Sequence, residues 1–146
     1  MAVFRFHLQK ILDLKEKEQE QAEWAFGKSV QKKTEEEEKL VHLHHRRDQL
    51  TDTLHKLQEQ ACTAAKLIEM NQFRLAIDKA IVQQVDTISA CDRNVESCKR
   101  TMTSKMQENQ LWSKLKEKER LKYDEAAKYR EQQILDEIGL VQYVRR

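Results

Sequence analysis

His42, His44 and His45 are the residues of this sequence best suited by type to metal chemistry. On a helix, His42 and His45 lie one turn apart, and Glu38 lies one turn before His42, so two imidazoles and a carboxylate would share a face. A zinc site would still need that third ligand held in place and an ordered shell behind it. Nothing around these residues supplies that, and they are read as solvated histidines on a coiled-coil surface. Cys62, Cys91 and Cys98 are the thiols. Cys91 and Cys98 are one heptad apart on one helical face, with no C-x-x-C pair and no histidine nearby, so they read as small apolar packing residues. Carboxylates are plentiful, but separating the pKa values of a catalytic pair needs a dry cleft. The two glycines, Gly27 and Gly139, cannot build a phosphate-cradling loop. No serine–histidine–acid set has a rigid pocket to hold it. The expectation is a protein with no catalytic residues, no metal and no cofactor.

The elements that carry these residues follow from an absence. The 146 residues include no proline and two glycines, and 36% are Asp, Glu, Lys or Arg. Proline lacks the N–H a helix needs and glycine costs backbone entropy, so a chain almost without them, rich in Glu, Lys, Gln, Leu and Ala, favours helix nearly throughout. A helix of 60 residues would run roughly 90 Å, too long for a compact domain of this mass. Apolar surface must then be buried along a narrow seam between helices or against a partner. The expected class is all-α, with two long helices in an antiparallel coiled-coil hairpin forming a single domain over residues 1–146.

Along the chain, Phe4 and Phe6 flank Arg5 in an apolar-basic entry, and helix one is expected over about residues 5–59. Leu8, Ile11, Leu12 and Leu14 begin its stripe, and Ala22, Ala25, Phe26 and Val30 continue it. Gly27 weakens the helix by about 1 kcal/mol relative to alanine without ending it. Trp24 lies off the stripe, as a contact residue or a partly buried one. The run Glu35–Glu38 reads as a solvated turn supported by pairs with Lys32, Lys33 and Lys39. Leu40, Leu43, Leu50, Leu54 and Leu57 have coiled-coil spacing if Arg47 fills its place, where it either snorkels to solvent or marks a loose segment. In the second half Ile77, Ile81, Val85, Ile88, Val95, Met102 and Met106 run down one face, with Cys91 and Cys98 beside them and Leu111 and Leu115 beyond. Helix two is expected over about 64–138, with Gly139 as its C-cap and a frayed tail over 139–146. Periodicity alone leaves the bend anywhere between Glu59 and Gln72, with Thr63 or Asn71 as candidate boundaries.

Net charge is +2, with both signs interleaved. This is the pattern of a solvated helix face and lacks the basic stripe of a nucleic-acid binder. No stretch approaches the roughly 20 apolar residues of a membrane span, and no signal-peptide core is present. The expectation is a soluble cytoplasmic protein that works by touching other proteins.

The opening Phe4-Arg5-Phe6-His7-Leu8-Gln9-Lys10-Ile11-Leu12-Asp13-Leu14-Lys15-Glu16 resembles the start of the flagellar export protein FliJ family. Asn71-Gln72-Phe73, followed by Ile77, Asp78, Lys79, Ala80, Ile81 and Gln84, resembles that family's second recognisable stretch. The chain departs from some relatives where they carry tyrosines in mid-helix one; here that stretch reads Leu43-His44-His45-Arg46-Arg47. The resemblance implies an antiparallel two-helix coiled coil similar to the gamma-subunit stalk of rotary ATPases, with its turn near Gln60 to Thr63. It implies a non-enzymatic component of the type III export apparatus, cytoplasmic and peripheral to the inner face of the cell membrane at the flagellar base. The implied partners are the export ATPase hexamer, the ATPase regulator, the export gate protein and export chaperones. By the same resemblance, Phe4, Phe6, Leu8, Ile11 and Leu12 would meet the ATPase, and Phe73, Ile77, Ala80 and Gln84 the gate. Leu8, Ile11, Leu12 and Ile77 also have the spacing of seam knobs, whereas Phe4, ahead of the helix, is read as a contact. The competing readings are a generic coiled-coil scaffold or dimerisation module, the equivalent stalk of a virulence secretion system and, last, a prefoldin-like chaperone, for which no strand pattern is visible.

Overall fold

A computed structural model describes residues 3–60 and 63–145. They form two helices, α1 over Gln9–Glu59 and α2 over Ala64–Arg145, with no strand among the described residues. The protein is an all-α helical hairpin.

The aromatic entry delays α1. Residues 3–6 stay irregular, and Gln9 N donates to Phe6 O at 3.1 Å before Ile11 N and Leu12 N reach Leu8 O at 3.1 and 3.0 Å. The helix starts at Gln9, four residues after the expected position, because Val3, Phe4 and Phe6 favour extended backbone and Phe6 turns inward to 7% exposure. Thr63 begins α2 as an N-cap residue does: its carbonyl accepts from Lys66 N and Leu67 N at 3.1 and 3.3 Å. Ala61 and Cys62, in the segment where the turn was expected, lie outside the described residues. The expected stop at residue 138 is overturned. No described glycine has positive φ, so Gly139 takes ordinary helical geometry and Leu140 to Arg145 extend the ladder.

The chain divides into two units, Ala22–Met102 and Met1–Gln21 with Thr103–Arg146. Within Ala22–Met102 the pairing is antiparallel. Lys33 Nζ donates to Asp92 Oδ1 at 2.8 Å, Gln84 Nε2 to Glu36 O and Oε2 at 2.9 and 2.6 Å, and Arg47 Nε lies 3.2 Å from Asp78 Oδ1. Ala22, Ser29, Ile81 and Cys91 are buried there, and Leu40, Leu43, Leu50, Leu54, Leu57, Ile77, Ile88, Val95, Cys98 and Met102 are half-buried. Ser29 satisfies its buried hydroxyl by donating to Phe26 O at 2.6 Å, one turn back. Val30 and Val85 face outward, correcting their assignment to the stripe. The place of Val85 is taken by its neighbour Gln84, whose amide finds two oxygens on α1.

In the other unit Lys15 Nζ donates to Glu108 Oε2, and Lys105 Nζ to Glu18 Oε2, both at 3.2 Å. Asn109 Nδ2 donates to Gln19 Oε1 at 2.6 Å, and the Phe4 and Tyr123 rings are 5.5 Å apart. This pairing too is antiparallel. Met106, Leu111 and Leu115, expected on the buried face, are exposed, while Lys105, Glu108, Asn109 and Trp112 turn partly inward. From Lys128 to Arg145 every residue of α2 is exposed.

Candidate partner-binding surfaces

The first group of expected contact residues sits where the entry segment meets α1. Leu12, at 3% exposure, is the most enclosed of the buried apolar residues, and Phe6 is buried beside the His7 ring at 5.5 Å. Both pack inward. Phe4, Leu8 and Ile11 are half-buried, Phe4 against Tyr123 at an interplanar angle of 52°. The group therefore combines two inward anchors with three side chains that keep an outer edge.

The second group lies on α2 in Ala22–Met102. Phe73 is 57% exposed, while Ile77, Ala80 and Gln84 are half-buried along successive turns. Gln84 is held by Glu36, so its amide is fixed rather than free to swing. Exposed Leu75 and Val82 lie on the same stretch.

Polar residues in both seams are the part of the geometry that hydrophobic periodicity misses. Lys15, Glu18, Lys105 and Glu108 close a ring of alternating charge, with Lys15–Glu18 at 3.5 Å and Lys105–Glu108 at 3.7 Å completing the cross-helix pairs. The hydrogen bond to Glu108 is the largest influence raising the Lys15 pKa above its ordinary 10.5, and the hydrogen bond from Lys105 the largest lowering Glu18 below 4.5. In Ala22–Met102 the bond to Asp92 raises Lys33, and the bond from Gln84, then that from Lys39, lowers Glu36. Glu36 thus departs from the expected solvated acidic run, its side chain only 13% exposed. The signal that could have found these residues is opposite charge at matching depths of two antiparallel helices, which becomes readable once the register is known.

His42, His44 and His45 are exposed, and no group of three or more His, Cys, Asp or Glu able to hold a metal ion occurs among the described residues. Cys91 is buried and Cys98 half-buried on one face of α2, in the packing position expected of them. Arg47 spans outward to Asp78 as a snorkelling seam arginine would. No helix among the described residues is long and apolar enough to cross a membrane.

In both units the antiparallel helices meet through a seam that mixes apolar side chains with ion pairs, the architecture of an all-α helical hairpin. The model of the flagellar FliJ protein family matches residues 4–146, and the chain belongs to that family. Membership makes it a component of type III protein export. The solved structure of a putative YscO homolog from Chlamydia trachomatis is similar in fold, with a TM-score of 0.63 and 17% identity, covering 97% of this chain and 96% of that one. A search of curated proteins finds no match.

Proposed function

We propose that the chain is the non-enzymatic stalk of the flagellar type III export apparatus, in the cytoplasm at the inner face of the cell membrane. In this reading it binds the hexameric export ATPase, promotes ring assembly and ATP hydrolysis, works beside the ATPase regulator, touches the export gate and escorts export chaperones. The observation that carries the reading is the family match over residues 4–146. The hairpin fold supports it, since paired helices with interleaved charge can meet loops of either sign.

The ATPase contact is assigned to Phe4, Leu8 and Ile11, with Phe6 and Leu12 holding them in place from the buried side. The gate contact is assigned to Phe73, Ile77, Ala80 and Gln84, with Phe73 as the exposed aromatic anchor. Exposed aromatics backed by a fixed surface are the usual centres of binding energy. The test is ATP hydrolysis and light-scattering assembly of the purified export ATPase, with and without this protein. Stimulation that weakens on Phe4→Ala with Leu8→Ala is the expected result. No stimulation by a folded chain would return the protein to a plain coiled-coil scaffold. Capture of the soluble domain of the gate protein, weakened by Phe73→Ala and not by Phe4→Ala, separates the second surface from the first.

A further inference from the structure

In the unit of Met1–Gln21 with Thr103–Arg146, the face of α2 that packs on the rest of the unit does not stop where the packing stops. Its partly covered positions include Trp112, Lys116, Glu119, Tyr123 and Ala127, at steps of three and four residues. Tyr123 meets the Phe4 ring at 5.5 Å, and from Lys128 onward every described residue of α2 is exposed. Continued at the same steps, the line reaches Ile134, Ile138 and Val141, with Leu135 at its edge. All four apolar side chains are exposed, Ile138 to 49% and Leu135 to 61%. A seam with the period of the intramolecular one therefore runs on with no described helix against it.

The charges on this stretch select what covers it. Over residues 128–145, Lys128, Arg130 and Arg145 are balanced by Glu131, Asp136 and Glu137, so the stretch is neutral. A nucleic acid or an acidic lipid surface needs a basic face, which this is not. The pattern is instead complementary to itself. Glu131 and Arg145, of opposite charge, stand seven residues before and seven after Ile138, at the same heptad position. Leu135 and Val141 stand three before and three after it. We propose that residues 131–145 pair antiparallel with the same residues of a second copy of this chain, about a two-fold axis at Ile138. Ile138 then meets Ile138, Leu135 meets Val141 and Glu131 meets Arg145, the last two contacts each made twice. This register keeps both copies within their exposed stretches and clear of Phe4 and Tyr123. With only about two heptads in contact, the association is weak and depends on concentration. The surface shares no residue with the ATPase and gate contacts proposed above, so its failure leaves that reading standing.

Sedimentation equilibrium of the full chain over a range of concentrations reads the association directly, and a monomer–dimer equilibrium is expected. Ile138→Glu, which sets two carboxylates on the axis, should weaken it by at least about thirtyfold. Glu131→Arg alone and Arg145→Glu alone should each weaken it by about tenfold, because the two-fold axis makes every like-charge contact twice. An equimolar mixture of those two variants should associate as the parent does, since each 131–145 contact across the mixed pair again joins opposite charges. All three positions are exposed, and unchanged helicity by circular dichroism checks that each variant is folded. A monomer at every concentration, unaltered association of Ile138→Glu, or no recovery in the mixture would overturn the proposal. So would a monomeric chain whose residues 128–145 gain hydrogen-exchange protection only with the export ATPase or with phosphatidylserine-containing vesicles, which would assign the face to that partner.

Discussion

The two units pair their helices by different means. In Ala22–Met102 leucines on α1 and isoleucine, valine, cysteine and methionine on α2 supply most of the inward side chains, and ion pairs lie along the edges. In Met1–Gln21 with Thr103–Arg146 the inward positions 15, 18, 105 and 108 carry a closed ring of charges, and apolar burial is concentrated at Phe6 and Leu12. Charged groups in a seam specify which residue meets which, at a cost in stability relative to apolar knobs. The unit holding the termini should therefore be exacting in register and modest in stability, and Ala22–Met102 the reverse.

The largest test of that contrast is Leu12→Ala. Truncating so enclosed a side chain should cost about 2–3 kcal/mol, near the low end for buried leucines because a two-helix seam can relax. Hydrogen exchange should show protection lost over residues 9–21 and 103–123 while 22–102 keeps its own. Equal loss in both units would show that they unfold as one and would break the contrast.

Next comes the charge ring itself. Replacing Lys15, Glu18, Lys105 and Glu108 together by leucine should raise the melting temperature, because the charges are removed in complementary pairs. The same variant should lose its unique register, seen as self-association in sedimentation, since four leucines accept many partners. Glu108→Leu alone should lower the melting temperature by leaving Lys15 without its cross-helix acceptor. Stabilisation by the single change would refute the ring as a coupled unit.

pH offers a smaller perturbation that reaches both units. Glu18 and Glu36 are held below their ordinary 4.5, so their contribution is present above that value and lost as pH falls through the lowered ones. Lys15 and Lys33 are raised above 10.5, so theirs is full below that value and lost as pH rises through the raised ones. A thermal-melting plateau between these limits is expected, falling on both sides, with arms that flatten in high salt. A melting temperature that did not fall on the acid side would remove the carboxylates from the account.

The mildest changes sharpen the comparison. Gly27 and Gly139 both lie inside helices, and a Cβ at either meets nothing within 4 Å. Gly27→Ala should stabilise Ala22–Met102 by about 0.5–1 kcal/mol through backbone entropy. Gly139→Ala should raise protection only over the exposed end of α2 and leave the global melting temperature nearly unchanged. A global rise from Gly139→Ala would mean that this end is coupled to the rest.

Much of this was legible residue by residue. The leucine spacing from Leu40 to Leu57 and the Ile77, Ile81, Ile88 and Val95 line identify inward faces because side chains one helical turn apart must share a surface. Phe4 with Tyr123, Gln84 with Glu36 and Lys15 with Glu108 were not legible, since each pair joins residues far apart in sequence. Gly139 misled for a related reason: glycine permits a helix end without requiring one, and apolar Leu140, Val141 and Val144 let the ladder continue. Trp24 fell off the apolar stripe, and an exposed indole and a partly buried one have the same sequence signal.

By itself the sequence determined that the chain is helical nearly throughout, that the helices carry apolar faces and that the family is that of FliJ. Those properties rest on local backbone preference, on side-chain period and on residues adjacent in the chain. Tertiary structure decided which charges turn inward, where α1 begins and which aromatics remain outside. A seam two helices wide has no deep core to exclude polar groups. A charge is therefore tolerated wherever the opposite helix supplies its complement, and only the three-dimensional register says where that is.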